Sequence, residues 1–137
     1  MILVDTSVMI KALHGGSDSV KVVIFDRILA QDVPFAICPY VYQETLQGIA
    51  DAVTYTKVKS YLDTQNCLWL GNTLTTFEQA ARLYWDLRRK GVTIRSTTDI
   101  LIALTAIHNE AALLHDDRDF DHIAQHVPEL TLLTTWK

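Results

Sequence analysis

The sequence has few residues of the kinds that build disulfide frameworks or zinc sites. It contains only two cysteines, Cys38 and Cys67, without Cys-x-x-Cys spacing. Two cysteines are too few for the disulfide framework of a small secreted domain, so we predict two reduced, buried thiols in a cytoplasmic protein. The five histidines form neither HxxxH nor HExxH, and we interpret them all as surface or helix-end residues: His14, His108, His115, His122 and His126.

Long hydrophobic runs and linkers are also missing. No segment approaches the roughly 20 apolar residues of a membrane helix. The apolar run at residues 1–4 meets Asp5 before a signal-peptide core could form. We therefore predict no membrane association and a mature N-terminus. Since the chain has no Gly/Ser linker, repeat or low-complexity tract, we expect residues 1–137 to form a single domain.

An excess of basic charge is absent, because 16 acidic residues outnumber 12 Lys and Arg and give a net charge of −4. A simple nucleic-acid binder draws its affinity from basic residues that neutralise phosphates. If four carboxylates were reserved for metal ions, the remaining charge would be −4 + 4 = 0. The bound cations would then attract phosphate. Charge alone permits an RNA substrate without indicating one.

Short apolar segments alternate with segments of helical periodicity. The predicted strands are residues 1–4, 35–38, 67–70, 111–114 and 130–133. The predicted helices are residues 8–13, a helix capped by Ser17 or Asp18 that runs past residue 29, and residues 39–50, 53–62, 77–90, 97–108 and 119–125. This alternation implies an α/β fold with a mostly parallel sheet covered on both faces. Ligands in such folds gather beyond the carboxyl ends of the strands.

Four acidic residues lie where a site of this kind would form. Asp5 directly follows the first predicted strand, and Asp117 lies three residues beyond the fourth. Asp99 is at a predicted helix start and Glu44 is in the first turns of another helix, where the dipole and free amide groups favour negative charge. Four converging carboxylates would repel one another unless cations separated them, so the pattern predicts a Mg²⁺ or Mn²⁺ site.

Each of these acids also has a simpler interpretation. Asp5 could cap the next helix, although Thr6 or Ser7 would serve equally well. Asp99 could be a helix-start residue stabilised by the dipole alone, and an isolated glutamate such as Glu44 is most often solvated. Taken singly, these acids therefore leave both interpretations open.

The segment around Asp117 contains several acids, and their roles are hard to separate from sequence. Asp119 or Asp121 suits the cap of the last helix. Asp116 is an alternative to Asp117 as the site residue, and Asp119 could share that role. The assignment of Asp117 is therefore the least definite of the four.

The order of the acidic segments resembles that of PIN-domain nucleases. The segments that carry the resemblance are Val4-Asp5-Thr6-Ser7, Glu44 on the helix after the second strand, Thr97-Thr98-Asp99-Ile100-Leu101-Ile102-Ala103, and Leu113-Leu114-His115-Asp116-Asp117-Arg118-Asp119-Phe120. The resemblance covers essentially the whole chain, whose length suits the toxin subgroup called VapC. It implies a three-layer α/β/α sandwich, Mg²⁺- or Mn²⁺-dependent cleavage of RNA, a cognate antitoxin and a homodimer.

The resemblance also implies roles for individual residues. Asp5 and Asp99 are the expected metal ligands, with Glu44 and Asp117 as the second and fourth acids of the pattern. The hydroxyl residues expected to orient these acids are Thr6, Ser7 and Thr98. No Ser-His-Asp or Cys-His nucleophile is evident, so we predict water as the nucleophile and products with 5′-phosphate and 3′-hydroxyl ends.

RNA would have to be held by basic residues outside the acidic site. The candidates are Lys11, Arg82, Arg88, Arg89, Lys90 and Arg95. Residues 88–90 are interpreted slightly more simply as a solvated helix end, whereas Arg95, close to Asp99, favours phosphate positioning. Trp69 and Trp85 are interpreted as packing residues.

Two other classes of protein share parts of the pattern. A phosphotransfer receiver domain also places acids and Mg²⁺ at strand ends, but it would have a pair of acids after the first strand and a lysine where this chain has Arg118. A PIN-like domain that binds without cleaving would explain the fold, yet the matched acids favour the enzyme.

Overall fold

The computed structural model describes residues 1–15 and 19–137, in which five strands alternate with seven helices. The strands are β1 (Ile2–Val4), β2 (Phe35–Ile37), β3 (Asn66–Cys67), β4 (Ala112–Leu114) and β5 (Thr131–Leu132). The helices are α1 (Thr6–Leu13), α2 (Val20–Ala30), α3 (Pro39–Gln47), α4 (Ala52–Leu62), α5 (Leu74–Arg89), α6 (Thr97–His108) and α7 (Arg118–His126). The predicted α/β alternation is confirmed.

All five strands belong to one parallel sheet in the order β3-β2-β1-β4-β5. Leu3 of the central strand β1 is in register with Ala36 of β2 and Leu113 of β4. All of β1 is buried. A strand covered on both faces needs an uninterrupted apolar sequence, which explains the Ile-Leu-Val run at the start of the chain.

The helices cover both faces of the sheet. The chain moves from β1 to β2 and β3 through α1 to α4, and then crosses back through α5 and α6 to β4. Right-handed crossovers that run in opposite directions place their helices on opposite faces. The packing agrees, because α1 contacts α2 and α3, whereas α6 contacts α5 and α7. The result is the expected three-layer α/β/α sandwich.

The two directions of crossover diverge between β1 and β4. In a parallel sheet such a switch point leaves a crevice at the carboxyl ends of the two strands. Helix α3 reaches α6 across this end of the molecule, since the two helices are in contact although they belong to different layers. The crevice therefore lies among β1, β4, α3 and α6.

Two helix starts differ from the predictions because of their caps. Helix α1 begins at Thr6, two residues earlier than predicted, since the side chain of Asp5 caps it. Helix α2 is capped by Ser19. Ser17 and Asp18, the predicted caps, lie outside the described residues.

Three further boundaries differ from the predictions. Helix α5 begins at Leu74 because Thr73 caps it, and α3 ends before Gly48 rather than at residue 50. Strand β3 ends at Cys67 instead of residue 70. Its partner β2 turns into α3 at Cys38, so the chain beyond residue 68 has no strand beside it.

Three side chains predicted to be buried are exposed. Cys38 is buried, and burial raises the pKa of its thiol to about 12, but Cys67 lies exposed on the edge strand; neither forms a disulfide. The packing interpretation is also wrong for Trp69 and Trp85, which are 66% and 41% exposed. Among the described residues, no helix has the length and apolar character needed to cross a bilayer.

Candidate metal centre

Five carboxylates from four segments converge at the crevice, and we call them the acidic cluster. Asp5 follows β1, Glu44 lies in the second turn of α3, and Asp99 lies in the first turn of α6. Asp117 and Asp119 form the start of α7. Asp99, Asp117 and Asp119 each offer an oxygen within 4.8 Å of the others, and the negative charges of Asp5 and Glu44 also act on Asp99.

The two carboxylate oxygens of Asp5 differ in their hydrogen bonding. Oδ2 accepts hydrogen bonds from the amide of Ser7 (3.0 Å) and from its hydroxyl (2.6 Å), which caps α1. Oδ1 is buried and has no hydrogen-bond partner. Burial raises the pKa of Asp5 to about 6, although the Ser7 hydrogen bonds oppose this and the charge of Glu44 adds to it. An unsatisfied buried carboxylate oxygen is costly, so Oδ1 is suited to bind a cation.

Asp99 is a buried acid whose pKa is raised well above its ordinary value. It is only 8% exposed, and burial together with the charges of Asp5, Asp117, Glu44 and Asp119 raises its pKa to about 7. Its side chain accepts no hydrogen bond from the described residues, and Thr98, expected to orient it, makes none either. A buried acid whose pKa is raised by burial and by neighbouring negative charges is typical of a functional site.

The last helix is capped by Asp117 rather than by Asp119 or Asp121. Asp117 Oδ1 accepts from the amide of Asp119 at 3.0 Å. Asp119, at the second position of the helix, is 4% exposed and belongs to the acidic cluster. The sequence interpretation of Asp119 as a cap is therefore wrong. The alternative that the sequence left open, in which Asp119 shares the role of Asp117, agrees with its place in the cluster.

Asp116 faces away from the cluster. Its Oδ2 accepts from Ser19 Oγ at 2.7 Å and from Lys11 Nζ. These hydrogen bonds and the Lys11 ammonium lower the pKa of Asp116. Its amide donates to Ser7 Oγ at 2.9 Å. Asp116 therefore does not replace Asp117 in the acidic cluster, and Lys11, a candidate RNA contact, is already paired with a carboxylate.

Glu44 is held by a hydrogen bond from Thr6 and not by the free amide groups at the start of α3. The Thr6 hydroxyl donates to Glu44 Oε1 at 3.0 Å and so connects the start of α1 to α3. The sequence predicted Thr6 or Ser7 as partners of Asp5. Ser7 has this contact, whereas Thr6 positions the neighbouring acid Glu44 instead.

Arg95 lies on the acidic cluster. Its Nη2 donates to Asp117 Oδ1 and its Nε to Asp119 Oδ2, both at 3.1 Å. Its backbone amide also faces Asp119 Oδ2 at 3.4 Å. Hydrogen bonding to Asp119 and then the charges of the two aspartates raise the pKa of Arg95, whose side chain is nevertheless 64% exposed. The guanidinium therefore bridges two acids from α7.

His115 is buried beneath the loop that carries Asp117, and its interpretation as a surface or helix-end residue is wrong. It is 1% exposed and packs against the Phe120 ring. Its Nδ1 accepts from the amide of Asp117 at 3.1 Å, and its Nε2 lies 3.3 Å from Asp121 Oδ1 without forming a hydrogen bond. Burial and then the charge of Lys21 lower the pKa of His115, so it is neutral at neutral pH.

The three arginines of α5 among the candidate RNA contacts stack on aromatic rings. The guanidinium of Arg89 is 4.6 Å and that of Arg82 5.2 Å from the centre of the Trp85 ring, and Arg88 is 5.7 Å from that of Tyr84. These contacts keep the positive charges exposed on one helix. Among the basic residues that were predicted to bind RNA, only Arg95 contacts the acidic cluster.

The donor set fits a hard divalent cation. All the converging groups are carboxylates, the ligands preferred by Mg²⁺ and Mn²⁺. Asp5 Oδ1 lacks a partner, and two of the acids have raised pKa values that a cation would lower. The four acids predicted from sequence lie at one crevice, with Asp119 as an addition.

Comparison with known proteins identifies related chains. The PIN domain model matches residues 2–125. VapC ribonuclease Mb1587 from Mycobacterium bovis and ribonuclease VapC11 from Mycobacterium tuberculosis are each 34% identical over 126 residues, covering 91% of this chain and 92% of the relative. The match to the PIN domain model therefore spans all five carboxylates described above.

Solved structures share the fold at lower identity. VapBC2 from Rickettsia felis, bound to a promoter DNA fragment, has a TM-score of 0.67 at 23% identity and covers 97% of this chain and 98% of its own. VapC20 from Mycobacterium tuberculosis, a toxin that cleaves the sarcin-ricin loop, has a TM-score of 0.57 at 22% identity over 88% and 93% of the two chains. From the matched family model and the 34% identical relatives, we conclude that this chain belongs to the PIN-domain family and, within it, to the VapC ribonucleases.

Proposed function

We propose that this protein is a Mg²⁺- or Mn²⁺-dependent endoribonuclease that acts as the toxin of a toxin–antitoxin pair. The observation that carries the proposal is the convergence of five carboxylates around Asp99, beside a buried oxygen of Asp5 that has no partner. Membership of the VapC ribonucleases supports RNA as the substrate and the toxin role.

The acids of the crevice would hold the cation. Asp5, through Oδ1, and Asp99 are the expected direct ligands, with Glu44, Asp117 and Asp119 completing the negative pocket. Bound there, a divalent ion supplies neutralising charge at the scissile phosphate and a lower pKa for an attacking water. Asp5 and Asp99 would have to be ionised to bind it.

The reaction is a hydrolysis in which water attacks phosphorus. A new oxygen–phosphorus bond forms, the bond from phosphorus to the ribose 3′ oxygen breaks, and the proton lost by water balances the one gained by the 3′ oxygen. The products are a 5′-phosphate and a 3′-hydroxyl end. His115, two residues before Asp117, is buried and packs against Phe120, which does not favour metal-free cleavage by a histidine pair.

An antitoxin has a suitable groove on the first helical layer. A cavity of about 360 Å³ opens between α1, α3 and α4, with an apolar lining that includes Ile10, Leu13 and Val58. Thr45 Oγ1 lies buried at the wall of this groove without a hydrogen-bond partner. An apolar antitoxin segment with one polar group toward Thr45 would fit this chemistry. The occurrence of VapB and VapC as a complex in the Rickettsia felis structure supports such a partner.

A homodimer is the second expected assembly, with α5 as its contact. Helix α5 buries only Thr76 and Leu87 of its sixteen residues. It leaves Leu74 89% exposed and borders a groove of about 450 Å³ that contains Phe77 and Trp85. Exposed apolar surface of this kind favours association. We place the protein in the cytoplasm, where the free thiols of Cys38 and Cys67 would persist.

The decisive experiment combines cleavage with metal binding. Purified protein is incubated with total RNA in Mg²⁺, in Mn²⁺ and in EDTA, and the ends are sequenced. Asp5→Asn and Asp99→Asn should each abolish cleavage and Mn²⁺ uptake, whereas Asp26→Asn, an exposed aspartate of α2, should preserve both. Undiminished cleavage in EDTA, or in both site variants, would refute the metal mechanism. Mn²⁺ binding without cleavage of any RNA would favour the binding-module alternative.

A further inference from the structure

The start of α7 carries two neighbouring carboxylates, and one basic side chain contacts both of them. Asp117 and Asp119 are two residues apart, and both join the cluster with Asp99. Two neighbouring carboxylates repel each other and would turn apart unless a partner held them. Arg95 is the cation in contact with both among the described residues.

Arg95 contacts only one oxygen of each carboxylate. Nη2 donates to Asp117 Oδ1, and Nε donates to Asp119 Oδ2. The other two oxygens, Oδ2 of Asp117 and Oδ1 of Asp119, accept no hydrogen bond from the described residues. The second oxygens are therefore available for a cation while the first ones are fixed. A planar guanidinium with two parallel donors suits this task, whereas a lysine ammonium cannot reproduce its geometry.

Arg95 is itself held in place from both sides. The preceding residue, Ile94, is 2% exposed and anchors the segment before α6 in the core. The Arg95 amide faces the same Asp119 oxygen as its Nε does, at 3.4 Å. Because backbone and side chain both approach Asp119, the segment that leads into Asp99 on α6 is tied to the start of α7.

We propose, on the basis of the metal site proposed above, that Arg95 is a positioning residue of that site rather than an RNA-phosphate contact. It orients Asp117 and Asp119 so that their second oxygens face the cation together with Asp99. It acts through these two acids and does not itself touch the metal or the substrate.

The test is the Mn²⁺ affinity of two variants, measured by calorimetry. Arg95→Lys keeps the positive charge but loses the two parallel donors of the guanidinium, and Arg95→Gln loses both the charge and these donors. Positioning predicts that both variants bind Mn²⁺ about tenfold more weakly than the native protein. If Arg95 acted only as a nearby positive charge, Arg95→Gln would instead bind Mn²⁺ more tightly and Arg95→Lys would be unchanged; either result overturns the proposal.

Arg27→Lys is the matched control. Arg27 is an exposed arginine of α2 that donates to the carbonyl of Trp136, outside the acidic cluster, and its replacement should leave Mn²⁺ affinity unchanged. Melting temperatures of all variants establish that they fold. Absence of Mn²⁺ binding by the native protein would reject the metal site itself, whereas normal binding by Arg95→Lys would reject only the role of Arg95.

Cleavage kinetics separate positioning from RNA binding. With Mn²⁺ raised to saturation, Arg95→Lys should recover most of its kcat with an unchanged KM for RNA. A KM for RNA that stays several-fold higher at saturating Mn²⁺ would show that Arg95 contacts the substrate and would overturn the proposal.

Discussion

Asp5 and Asp117 each use one carboxylate oxygen to cap a helix, and the other oxygen accepts no hydrogen bond from the described residues. Asp5 Oδ2 receives the amide of Ser7 at the start of α1, and Asp117 Oδ1 receives that of Asp119 at the start of α7. A cap needs only one oxygen, so capping and metal binding are compatible in one side chain. The alternatives that the sequence left open for Asp5, cap or ligand, are therefore not exclusive.

Asp99 lowers the stability of the protein at neutral and higher pH when no metal is bound. Its pKa is about 7 in the folded protein and 3.8 in the unfolded chain, so the folded state holds more protons between these values. Stability therefore falls as the pH rises from about 4 through 7. In EDTA at pH 8, Asp99→Asn should raise the free energy of unfolding by about 2 kcal/mol. Urea unfolding measures this.

The same comparison at low pH is the internal check. Near pH 4 the folded protein already carries a protonated Asp99, so the gain from Asp99→Asn should shrink toward zero. Asp26→Asn, on the exposed side of α2, should change stability little at either pH. A gain that is equal at pH 4 and pH 8 would contradict the raised pKa.

Mn²⁺ affinity should depend steeply on pH in the range of the two buried acids. Asp5 and Asp99, with pKa values of about 6 and 7, must lose their protons before they can bind a cation. We expect Mn²⁺ to bind at least about tenfold more weakly at pH 5.5 than at pH 8. Calorimetry at the two pH values provides the measurement, and equal affinities would argue against these acids as ligands.

At the scale of elements, the loop between β4 and α7 is held by side chains from other parts of the chain. The amide of Asp116 donates to Ser7 Oγ of α1, and the carbonyl of His115 accepts from Lys21 Nζ of α2 at 3.0 Å. The His115 ring accepts the amide of Asp117. The position of Asp117 therefore depends on α1 and α2 as well as on its own helix.

Ser7 connects two of these elements, so its hydroxyl should matter to stability and to the site. Ser7→Ala leaves the amide of Asp116 without its acceptor and removes a 2.6 Å hydrogen bond from Asp5. We expect a loss of about 1–2 kcal/mol in the free energy of unfolding. Urea unfolding measures the change in stability, and Mn²⁺ calorimetry measures the effect on the site. Ser60→Ala on the exposed face of α4 is the control, and equal behaviour of the two variants would be inconsistent with this role.

The existence and order of the elements were predictable, but their ends were not. The continuous apolar run of β1 and the twelve-residue segment of α6 are determined by local pattern, and α6 has the predicted bounds. The ends of β3, α1 and α5 depend on caps and on where a neighbouring strand stops. Several polar residues at each end suit a cap, so sequence alone did not select between them.

At the scale of the whole molecule, α5 is a helix that the fold leaves mostly exposed. Phe77, Tyr84 and Trp85 border the groove between α5 and α6, and Thr97 at its end is two residues from Asp99. The one-domain organisation of residues 1–137 stays a prediction; the described residues include a buried core cluster that draws on all three layers.

The proposed dimer is tested by placing a charge in this groove. Phe77→Glu should convert the dimer to a monomer, because an ionised carboxylate in an apolar contact is costly to desolvate. Sedimentation equilibrium across a concentration series measures the assembly state. Val53→Glu, at an exposed position of α4, should leave the dimer intact. A native protein that is monomeric at all concentrations would reject the dimer, and a dimer that persists in Phe77→Glu would place its interface elsewhere.

The sequence by itself determined the alternation of strands and helices, the parallel sheet, and the four acids at its carboxyl edge. The alternation and the sheet follow from local hydrophobic periodicity, whereas the four acids follow from the order of the acidic segments, which resembles that of PIN-domain nucleases. Only the tertiary structure decided that Asp119 joins the cluster while Asp116 faces Lys11, that His115 is buried, and that Arg95 bridges two acids. The reason is that these pairings depend on the direction of individual side chains in loops, which is set by contacts with residues distant in the chain.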